Sequence, residues 1–424
     1  MYYERLSPHS DDCMQRSNRT RRQWLRTCAT TASVPALAGC ASYLNENEDG
    51  APSDSLLRDR PASAEWRMYG VDLANTGHQP DARGPDGSGD DGVDVDWEFE
   101  TDDSLAATPL LIDGTLYVGS HDERFYAIDP ETGDEEWSVD LETSLRPTPA
   151  YADGNFYLSG NRELLSIDAE SGDVRWREDG TNSNPYYPLV LDDSTGVVTD
   201  NEHLWRFDLE TGTLEEPIDL LPDPYEMGVS EAPAISDGTA YVAYEDRLGA
   251  IDLGTGEREW VFENEAGEIL HHISPAVADG LVYIGDVEGN FYAVDADSGD
   301  LEWEYEATTE IASSPSVANG TVFFGDRNRV IALETEAGDK KWDAEVPFPQ
   351  NIPSLIANGI VYTSSHTYIC AIRSRTGEKI WSHEFGSEID DIREASNYAI
   401  RMTPIAFDGR IYLTNSNNRV LSIS

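Results

Sequence analysis

Residues 108–137 read TPLLIDGTLYVGSHDERFYAIDPETGDEEW, and residues 274–303 repeat the same plan as SPAVADGLVYIGDVEGNFYAVDADSGDLEW. Each copy holds a proline, a short apolar run, an Asp-Gly pair, two alternating strands, an Asp-x-x-Thr/Ser-Gly turn and a tryptophan. Asp-Gly accepts the positive φ angles of a tight hairpin, and alternation of apolar with polar residues is typical of β-strands. The stretch therefore predicts one four-stranded antiparallel unit.

The unit recurs along most of the chain. A four-stranded unit cannot bury both of its faces alone, whereas a ring of such units buries them between neighbours and protects the sheet edges. Eight units predict an all-β fold, an eight-bladed β-propeller of four-stranded antiparallel blades. The proline that opens each unit lies at Pro109, Pro149, Pro188, Pro233, Pro275, Pro315, Pro353 and Pro404.

The two ends of the repeat region complement each other. The last unit begins at Pro404 and stops at Ser424, one strand short of a full blade. A matching strand with its tryptophan lies at residues 94–99, around Trp97. We therefore expect this N-terminal strand to complete the last blade and close the ring.

Seven tryptophans belong to the fourth strands of the units, and six of them stand four residues after the turn glycine. This fixed spacing indicates a structural role in docking each blade onto the next rather than a cofactor box. The third unit departs from the pattern, since Glu216 stands where a tryptophan is expected, and we expect that blade to be the least well packed. The seven are Trp97, Trp137, Trp176, Trp260, Trp303, Trp342 and Trp381.

Residues 1–40 carry two motifs typical of protein export. Arg21 and Arg22, followed by an aromatic and an apolar residue, resemble the twin-arginine export signal. Leu37-Ala38-Gly39-Cys40 resembles a lipobox, in whose family the cysteine thiol is acylated and the chain is cut just before it. The resemblance implies an export signal at Arg21 and Arg22 and a lipid anchor at Cys40.

Two further features bear on this leader. The apolar stretch at residues 27–39 is too short and too polar for a stable membrane-spanning helix. Either Met1 or Met14 can be the start of translation, since Met14 would open a leader of ordinary length. We predict an exported lipoprotein held at the outer face of the cytoplasmic membrane by its lipid.

The remaining chain divides by composition. Residues 41–65 are polar and acidic and predict a flexible tether. Residues 66–424 form the predicted propeller, with a lead-in at 66–93 and the blades at 94–424.

The charge of the chain is strongly one-sided. It has 81 Asp and Glu residues against 29 Lys and Arg, a formal net charge of −52, and only three of the basic residues are lysines. Such a surface repels itself unless salt screens it, and phosphate contacts need basic patches, which so acidic a composition disfavours. The composition predicts a halophilic protein and disfavours nucleic-acid binding.

Within the units, Ala127-x-Asp129-x-x-Thr132-Gly133-x-x-x-Trp137 resembles the signature of pyrroloquinoline-quinone (PQQ)-like repeats, and so do residues 250–260 and 293–303. The lead-in at residues 66–77 is also similar to that of this family. The resemblance implies a propeller in one of two functional branches. One comprises dehydrogenases that hold PQQ and Ca²⁺ and oxidise alcohols or sugars. The other comprises non-catalytic lipoproteins, such as the propeller of the outer-membrane assembly machine, which serve as binding platforms.

Several features favour the platform. The chain has no adjacent cysteines to form the disulfide that clamps PQQ in the alcohol-oxidising branch, and no C-x-x-C-H haem motif. Repeats of nearly constant length leave little room for the insertions that build a quinone pocket. Neither a serine nucleophile elbow nor a nucleotide-binding loop after a strand is present. We therefore expect no catalytic residues, no metal and no cofactor, with a PQQ- and Ca²⁺-dependent dehydrogenase as the alternative.

The turns that enter the inner strands are expected to ring one mouth of the central channel. Their chemistry varies more than the rest of the repeat, which is typical of recognition loops on a rigid scaffold. Adjacent histidines on a strand point to opposite faces, which disfavours a metal site there. We expect a monomer that binds an exported protein partner through candidate mouth residues Arg146, Tyr186, Tyr187, His271, His272 and Arg401.

Overall fold

The computed structural model describes residues 66–87, 92–105, 107–145, 147–179, 188–192, 194–200, 202–220, 232–264, 270, 273–311, 313–347, 352–365, 367–385, 402–415 and 418–424. The chain divides into two units, Met1–Arg60 and Pro61–Ser424, and every described residue belongs to the second.

The described residues form eight sheets, one for each predicted blade. Two strands precede the first full blade in sequence, β1 (His78–Gln79) and β2 (Val95–Glu100). Blade 1 comprises β3 (Leu110–Ile112), β4 (Thr115–Gly119), β5 (Arg124–Ile128) and β6 (Glu135–Asp140). Blade 2 comprises β7 (Ala150–Ala152), β8 (Asn155–Gly160), β9 (Glu163–Asp168) and β10 (Val174–Asp179). Blade 3 comprises β11 (Val190–Asp192), β12 (Thr195–Thr199), β13 (His203–Asp208) and β14 (Ile218–Asp219).

The second half of the ring follows the same plan. Blade 4 comprises β15 (Ala234–Ser236), β16 (Thr239–Tyr244), β17 (Arg247–Asp252) and β18 (Arg258–Glu263). Blade 5 comprises β19 (Ala276–Ala278), β20 (Leu281–Gly285), β21 (Asn290–Asp295) and β22 (Leu301–Glu306). Blade 6 comprises β23 (Ser316–Ala318), β24 (Thr321–Asp326), β25 (Arg329–Glu334) and β26 (Lys340–Glu345). Blade 7 comprises β27 (Leu355–Ala357), β28 (Ile360–Ser365), β29 (Tyr368–Arg373) and β30 (Lys379–Glu384), and blade 8 comprises β31 (Ile405–Phe407), β32 (Arg410–Thr414) and β33 (Arg419–Ile423) together with β2.

Each blade begins with a three-residue inner strand, and the inner strands of successive blades contact one another around the propeller axis. The predicted Asp-Gly hairpins join the first strand to the second. Asp113 has φ 49° and Gly114 has φ 79°, the left-handed pair that a tight hairpin requires. Pro188 and Pro353 lie two residues before their strands instead of one.

Burial follows position within the blade. The second and third strands are buried on both faces, because each blade packs between two neighbours. The outer strands alternate, with their charged residues exposed. Between blades 5 and 6, Phe291 stacks on Phe324 with ring centroids 4.1 Å apart. The core is therefore a ring of inter-blade layers.

The ring closes as the sequence predicted. Strand β2 pairs antiparallel with β33, from Val95 opposite Ile423 to Glu100 opposite Arg419. Arg419 also forms an ion pair with Glu98 at 2.7 Å. The prediction of an eight-bladed propeller completed by its N-terminal strand is confirmed.

Six of the seven tryptophans donate a hydrogen bond from Nε1 to a backbone carbonyl beyond their own blade. In blade 4, Trp260 donates to Ala296 O of blade 5 at 3.0 Å. A Cβ atom on Gly299 would lie 2.7 Å from that indole, so the turn needs glycine both for its φ of +75° and for close contact. Trp137 instead packs against Tyr117 and Phe125 of its own blade. The other donors are Trp97, Trp176, Trp303, Trp342 and Trp381.

Blade 3 replaces the missing tryptophan with two other residues. The Arg206 guanidinium donates to Leu253 O of blade 4, the carbonyl that a tryptophan would otherwise reach, and pairs with Glu215 at 2.6 Å. Ile218 lies 3.4 Å from the position of a Cβ on Gly256, where an indole would pack. The outer strand β14 has only two residues, against six in the outer strands of the other blades.

No helix long and apolar enough to cross a membrane occurs within the described ranges. Cys370 lies buried in β29 as a free thiol, and burial raises its pKa to about 12. That thiol is therefore protonated at neutral pH.

Candidate functional site at the propeller axis

The six predicted mouth residues, the export arginines Arg21 and Arg22 and the anchor Cys40 all lie outside the described residues. The six are Arg146, Tyr186, Tyr187, His271, His272 and Arg401. The described part of the axis is built by the inner strands and by residues 66–87, which we call the axial segment.

The axial segment contacts the blades in their order along the chain. Trp66 exchanges two backbone hydrogen bonds with Leu111 of blade 1, and Arg67 O accepts from Tyr151 N of blade 2. Met68 and Tyr69 pack in the hydrophobic cluster that blade 3 shares with blades 2 and 4. Beyond them, four backbone carbonyls of the axial segment each accept a hydrogen bond from a backbone N–H of one blade, from blade 4 to blade 7, at 2.6–2.8 Å. The pairs are Leu73 with Ile235, Ala74 with Val277, Thr76 with Val317 and Gly77 with Ile356.

These acceptor positions follow from strand geometry. The terminal residues of a three-residue inner strand face the second strand, so the N–H of the middle residue points towards the axis. Leu111, Tyr151, Ile235, Val277 and the equivalent residues of blades 6 and 7 are such middle residues. The axial segment thus pairs backbone donors that would otherwise be unpaired in the centre of the ring.

Asn75 joins two blades through its side chain. Its Nδ2 donates to Pro233 O at 3.1 Å and to Pro275 O at 3.2 Å, with Ala232 O at 3.5 Å. Asn75 is 4% exposed and has φ 54°, a left-handed angle that asparagine tolerates better than most residues. Its amide therefore links blades 4 and 5 at the axis.

A short turn holds Asn75 in place. Asp72 accepts hydrogen bonds from the Thr76 N–H and hydroxyl, which close the loop around Asn75. Burial raises the pKa of Asp72 above its usual range, although Thr76 opposes the shift. Burial also lowers the pKa of His78, so the imidazole is neutral at neutral pH.

The axial segment also replaces a turn at the point of ring closure. At most other interfaces the turn between the third and fourth strands offers a carbonyl to the preceding blade, but in blade 8 those strands come from opposite ends of the chain. There Pro85 O accepts from Trp381 Nε1 at 2.8 Å and from the Tyr362 hydroxyl at 3.1 Å. Pro130 O does the same for Trp97 and Tyr412 at the next interface.

Several buried polar atoms near the axis have no partner among the described residues. They are Trp66 Nε1, Asn75 Oδ1, both polar atoms of the Gln79 amide, Thr108 Oγ1 and Ser274 Oγ. Thr108 and Ser274 stand at the entrances of inner strands β3 and β19. Unpaired buried groups are costly, so these atoms are suited to water or to neutral amide and hydroxyl groups of a ligand.

The described axial groups do not fit PQQ and Ca²⁺. PQQ carries three carboxylates, whereas these unpartnered groups are neutral and would leave its charges unpaired. In the parts of the chain that the structure describes, no group of three or more His, Cys, Asp or Glu side chains could hold a metal ion.

Comparison with known families decides the relationship. The profile described as outer membrane protein assembly factor BamB matches residues 121–260 and 221–424, which together cover most of the chain. The chain belongs to the BamB family of propellers. A second profile, the β-propeller domain of glucose, ethanol and alcohol dehydrogenases, matches residues 91–146 of this BamB-family propeller.

Curated relatives come from both branches. Outer membrane protein assembly factor BamB of Yersinia pestis is 26% identical over 181 residues, 40% of this chain and 46% of the relative. Quinohemoprotein alcohol dehydrogenase of Comamonas testosteroni is 22% identical over 313 residues, 70% of this chain and 33% of the relative. The BamB-family propeller therefore matches less than half the length of these relatives.

Solved structures share the fold at low identity. The Comamonas testosteroni enzyme superposes with a TM-score of 0.67 at 14% identity, over 87% of this chain and 82% of that chain. BamB from Moraxella catarrhalis superposes with a TM-score of 0.60 at 14% identity, over 78% of this chain and 99% of that chain. Both similarities show the propeller fold alone.

The sequence predicted the blades but not the role of the axial segment. Its signal was present in Gly70, Asn75 and Gly77, which all have positive φ within eight residues and mark a chain that turns repeatedly. That signal gives no contact partners, because each partner lies in a different blade.

Proposed function

We propose that this BamB-family propeller is a non-catalytic platform that binds another exported protein, or an extended segment of one, at the mouth of its channel. The observation that carries the proposal is the set of neutral unpartnered groups at the axis, notably Gln79, Asn75 and Ser274. Such groups hydrogen-bond a peptide backbone without charge, and those bonds do not weaken when salt screens ion pairs. The BamB relatives support a protein partner.

The rival function is a PQQ-dependent dehydrogenase, which the alcohol dehydrogenase relatives favour. Purified protein in molar salt is supplied with PQQ and Ca²⁺, and dye reduction is followed with a panel of alcohols and sugars. We expect no turnover, because the unpartnered axial groups are neutral and the described residues provide no cluster that could hold a metal. Turnover that disappears when calcium is chelated would overturn the platform proposal.

Crosslinking tests the platform directly. We expect a protein partner to be recovered from cells with the wild-type propeller and lost with the double variant Arg146→Ala and Arg401→Ala, which removes two predicted mouth donors. The matched control is Arg373→Ala with Arg375→Ala, since Arg373 is exposed at the end of β29 and Arg375 is exposed in the turn that follows it, away from the predicted mouth residues in sequence. Equal recovery with both double variants would place the partner elsewhere.

We further propose that the protein is exported and anchored by lipid at Cys40, at the outer face of the cytoplasmic membrane. The motifs around Arg21, Arg22 and Cys40 support this. Cys40→Ser is expected to move the protein from the membrane fraction to the soluble exported fraction, because one acylated cysteine supplies the anchor. Fractionation with immunoblotting measures the change.

Cys28→Ser is the control for this experiment, since that thiol lies in the same leader but outside the lipobox. It should leave the protein at the membrane. Arg21→Lys with Arg22→Lys should retain the precursor inside the cell. Membrane association of the Cys40→Ser protein at the wild-type level would contradict the anchor.

A further inference from the structure

A cleft of about 270 Å³ lies between blades 2 and 3, away from the axial segment. One wall is the face of β8, β9 and β10, and the other is the end of β13 at Asp208 with the turn that follows it, which includes Glu210. Leu209 O in this turn accepts the docking bond of Trp176 at 3.1 Å. The cleft therefore lies beside a blade-docking contact without disrupting it.

Asn155, Tyr157 and Ser166 of blade 2 line the cleft, and two of them carry buried polar atoms with no hydrogen-bond partner among the described residues. Ser166 Oγ is unpartnered in a residue that is 1% exposed, and Asn155 Oδ1 is unpartnered in a residue that is 9% exposed. Tyr157 pairs with Ser166 across the ladder and lies two residues from Asn155, so the three side chains share one face. They form a polar wall along one side of the cleft.

In other blades the tyrosine hydroxyl at the position of Tyr157 makes a hydrogen bond to the next blade. The Tyr241 hydroxyl donates to Ala296 O of the next blade at 3.3 Å, and the Tyr412 hydroxyl donates to Pro130 O at 3.1 Å. The Tyr157 hydroxyl makes no such bond to Leu209 O. Ser166 also stands where five other blades have the repeat alanine, at Ala127, Ala250, Ala293, Ala332 and Ala371. Blade 8 also has a serine there, Ser422, but its hydroxyl donates to Asp96 at 3.3 Å, whereas the Ser166 hydroxyl has no partner among the described residues.

The charged residues around the cleft are mostly negative, which favours a positively charged ligand. Asp153, Asp208 and Glu210 line it with carboxylates, and hydrogen bonds from Thr211 hold the pKa of Asp208 below its usual range. The one cation in the lining, Arg175, is bonded to Asp168 at 2.5 Å. An acceptor-rich, negatively charged site suits a ligand with several donors and a positive charge.

We propose that this cleft binds a primary ammonium group, carried by a small molecule such as a short diamine. The ammonium donates to Asn155 Oδ1, Ser166 Oγ and the Tyr157 hydroxyl, and the carboxylates balance its charge. A cleft of this size has room for about nine water volumes, which limits the ligand to a short chain. These contacts are direct, so molar salt leaves them largely intact.

The test is a titration of the full propeller with 1,5-diaminopentane at constant molar KCl, by calorimetry or ligand-observed NMR. Saturable binding is expected. The double variant Asn155→Thr with Ser166→Ala should weaken it at least about tenfold, since it removes two charge-assisted hydrogen bonds. Both replacements are residues that other blades carry at these positions, and a melting curve checks that the variant is folded.

Two controls separate a site from counterions gathered by an acidic surface. Thr239→Ala changes the blade 4 residue equivalent to Asn155 and should leave the affinity unchanged. 1,5-Pentanediol has the same length without the charge and should not bind. Equal affinity of the double variant and the wild type, equal binding of the diol, or no saturable binding would each overturn the proposal.

Discussion

Replacing Asn75 by alanine is expected to lower the free energy of unfolding by about 3 kcal/mol, one of the largest effects of any single polar substitution in this propeller. The change removes the donor that links Pro233 O of blade 4 to Pro275 O of blade 5. Both carbonyls would then be buried without a partner. Alanine also tolerates the φ of 54° less well than asparagine. Denaturant unfolding in molar salt measures the change.

Asn161→Ala is a control that measures only the cost of placing alanine at a positive φ, without the loss of a hydrogen bond. Asn161 also has a positive φ, 42°, but it is exposed in a turn and its side chain makes no hydrogen bond within the described structure. We expect its loss of stability to be about 1 kcal/mol or less. If the two variants lose equal stability, the link between blades 4 and 5 contributes little.

The features predictable from sequence were the local and repeated ones. Hairpin pairs such as Asp113-Gly114 and turn glycines such as Gly299 recur at a fixed spacing, so a single legible unit predicted eight blades. Closure was predictable as well, because the strand around Trp97 supplied what the last unit lacked. Each of these inferences required only a comparison of the chain with itself.

The unpredicted features occur once and depend on distant contacts. Pro85 replaces a missing turn, and Arg206 replaces a missing tryptophan, yet neither residue resembles what it replaces. The sequence showed Glu216 where an indole was expected, but the substituting guanidinium lies on the neighbouring strand β13. Comparison of the repeats shows where a repeat residue is missing, but only the folded ring shows which other residue makes the missing contact.

The melting temperature is expected to rise by at least about 10 °C when KCl increases from about 0.1 M to about 1 M, because the screening length falls from about 10 Å to about 3 Å. The chain carries a net charge of −52, and several of its arginines are already paired, as Arg329 is with Asp343 and Arg410 with Asp96. Repulsion among the remaining carboxylates is therefore the main electrostatic force on the fold. Thermal melts over a KCl series measure how the melting temperature depends on KCl concentration. A parallel series in sucrose, which is uncharged, measures the stabilisation that comes from solute exclusion alone.

A pair of matched variants tests whether screening of particular carboxylates produces this slope. Glu304 and Glu306 lie two residues apart on the exposed face of β22, about 7 Å from each other, and neither side chain has an ion-pair partner among the described residues. That separation is within the screening length at low salt and beyond it at high salt. Glu304→Gln with Glu306→Gln should therefore raise the melting temperature at low KCl and leave it unchanged at high KCl.

Glu98 and Glu100 occupy the equivalent positions in β2, but both face Arg419, at 2.7 and 3.7 Å. Glu98→Gln with Glu100→Gln removes the attraction to Arg419 as well as the repulsion between the two carboxylates. This double variant should therefore not raise the melting temperature at low KCl. A gain of equal size in both double variants would mean that total charge, rather than local repulsion along the outer strands, governs the response to salt.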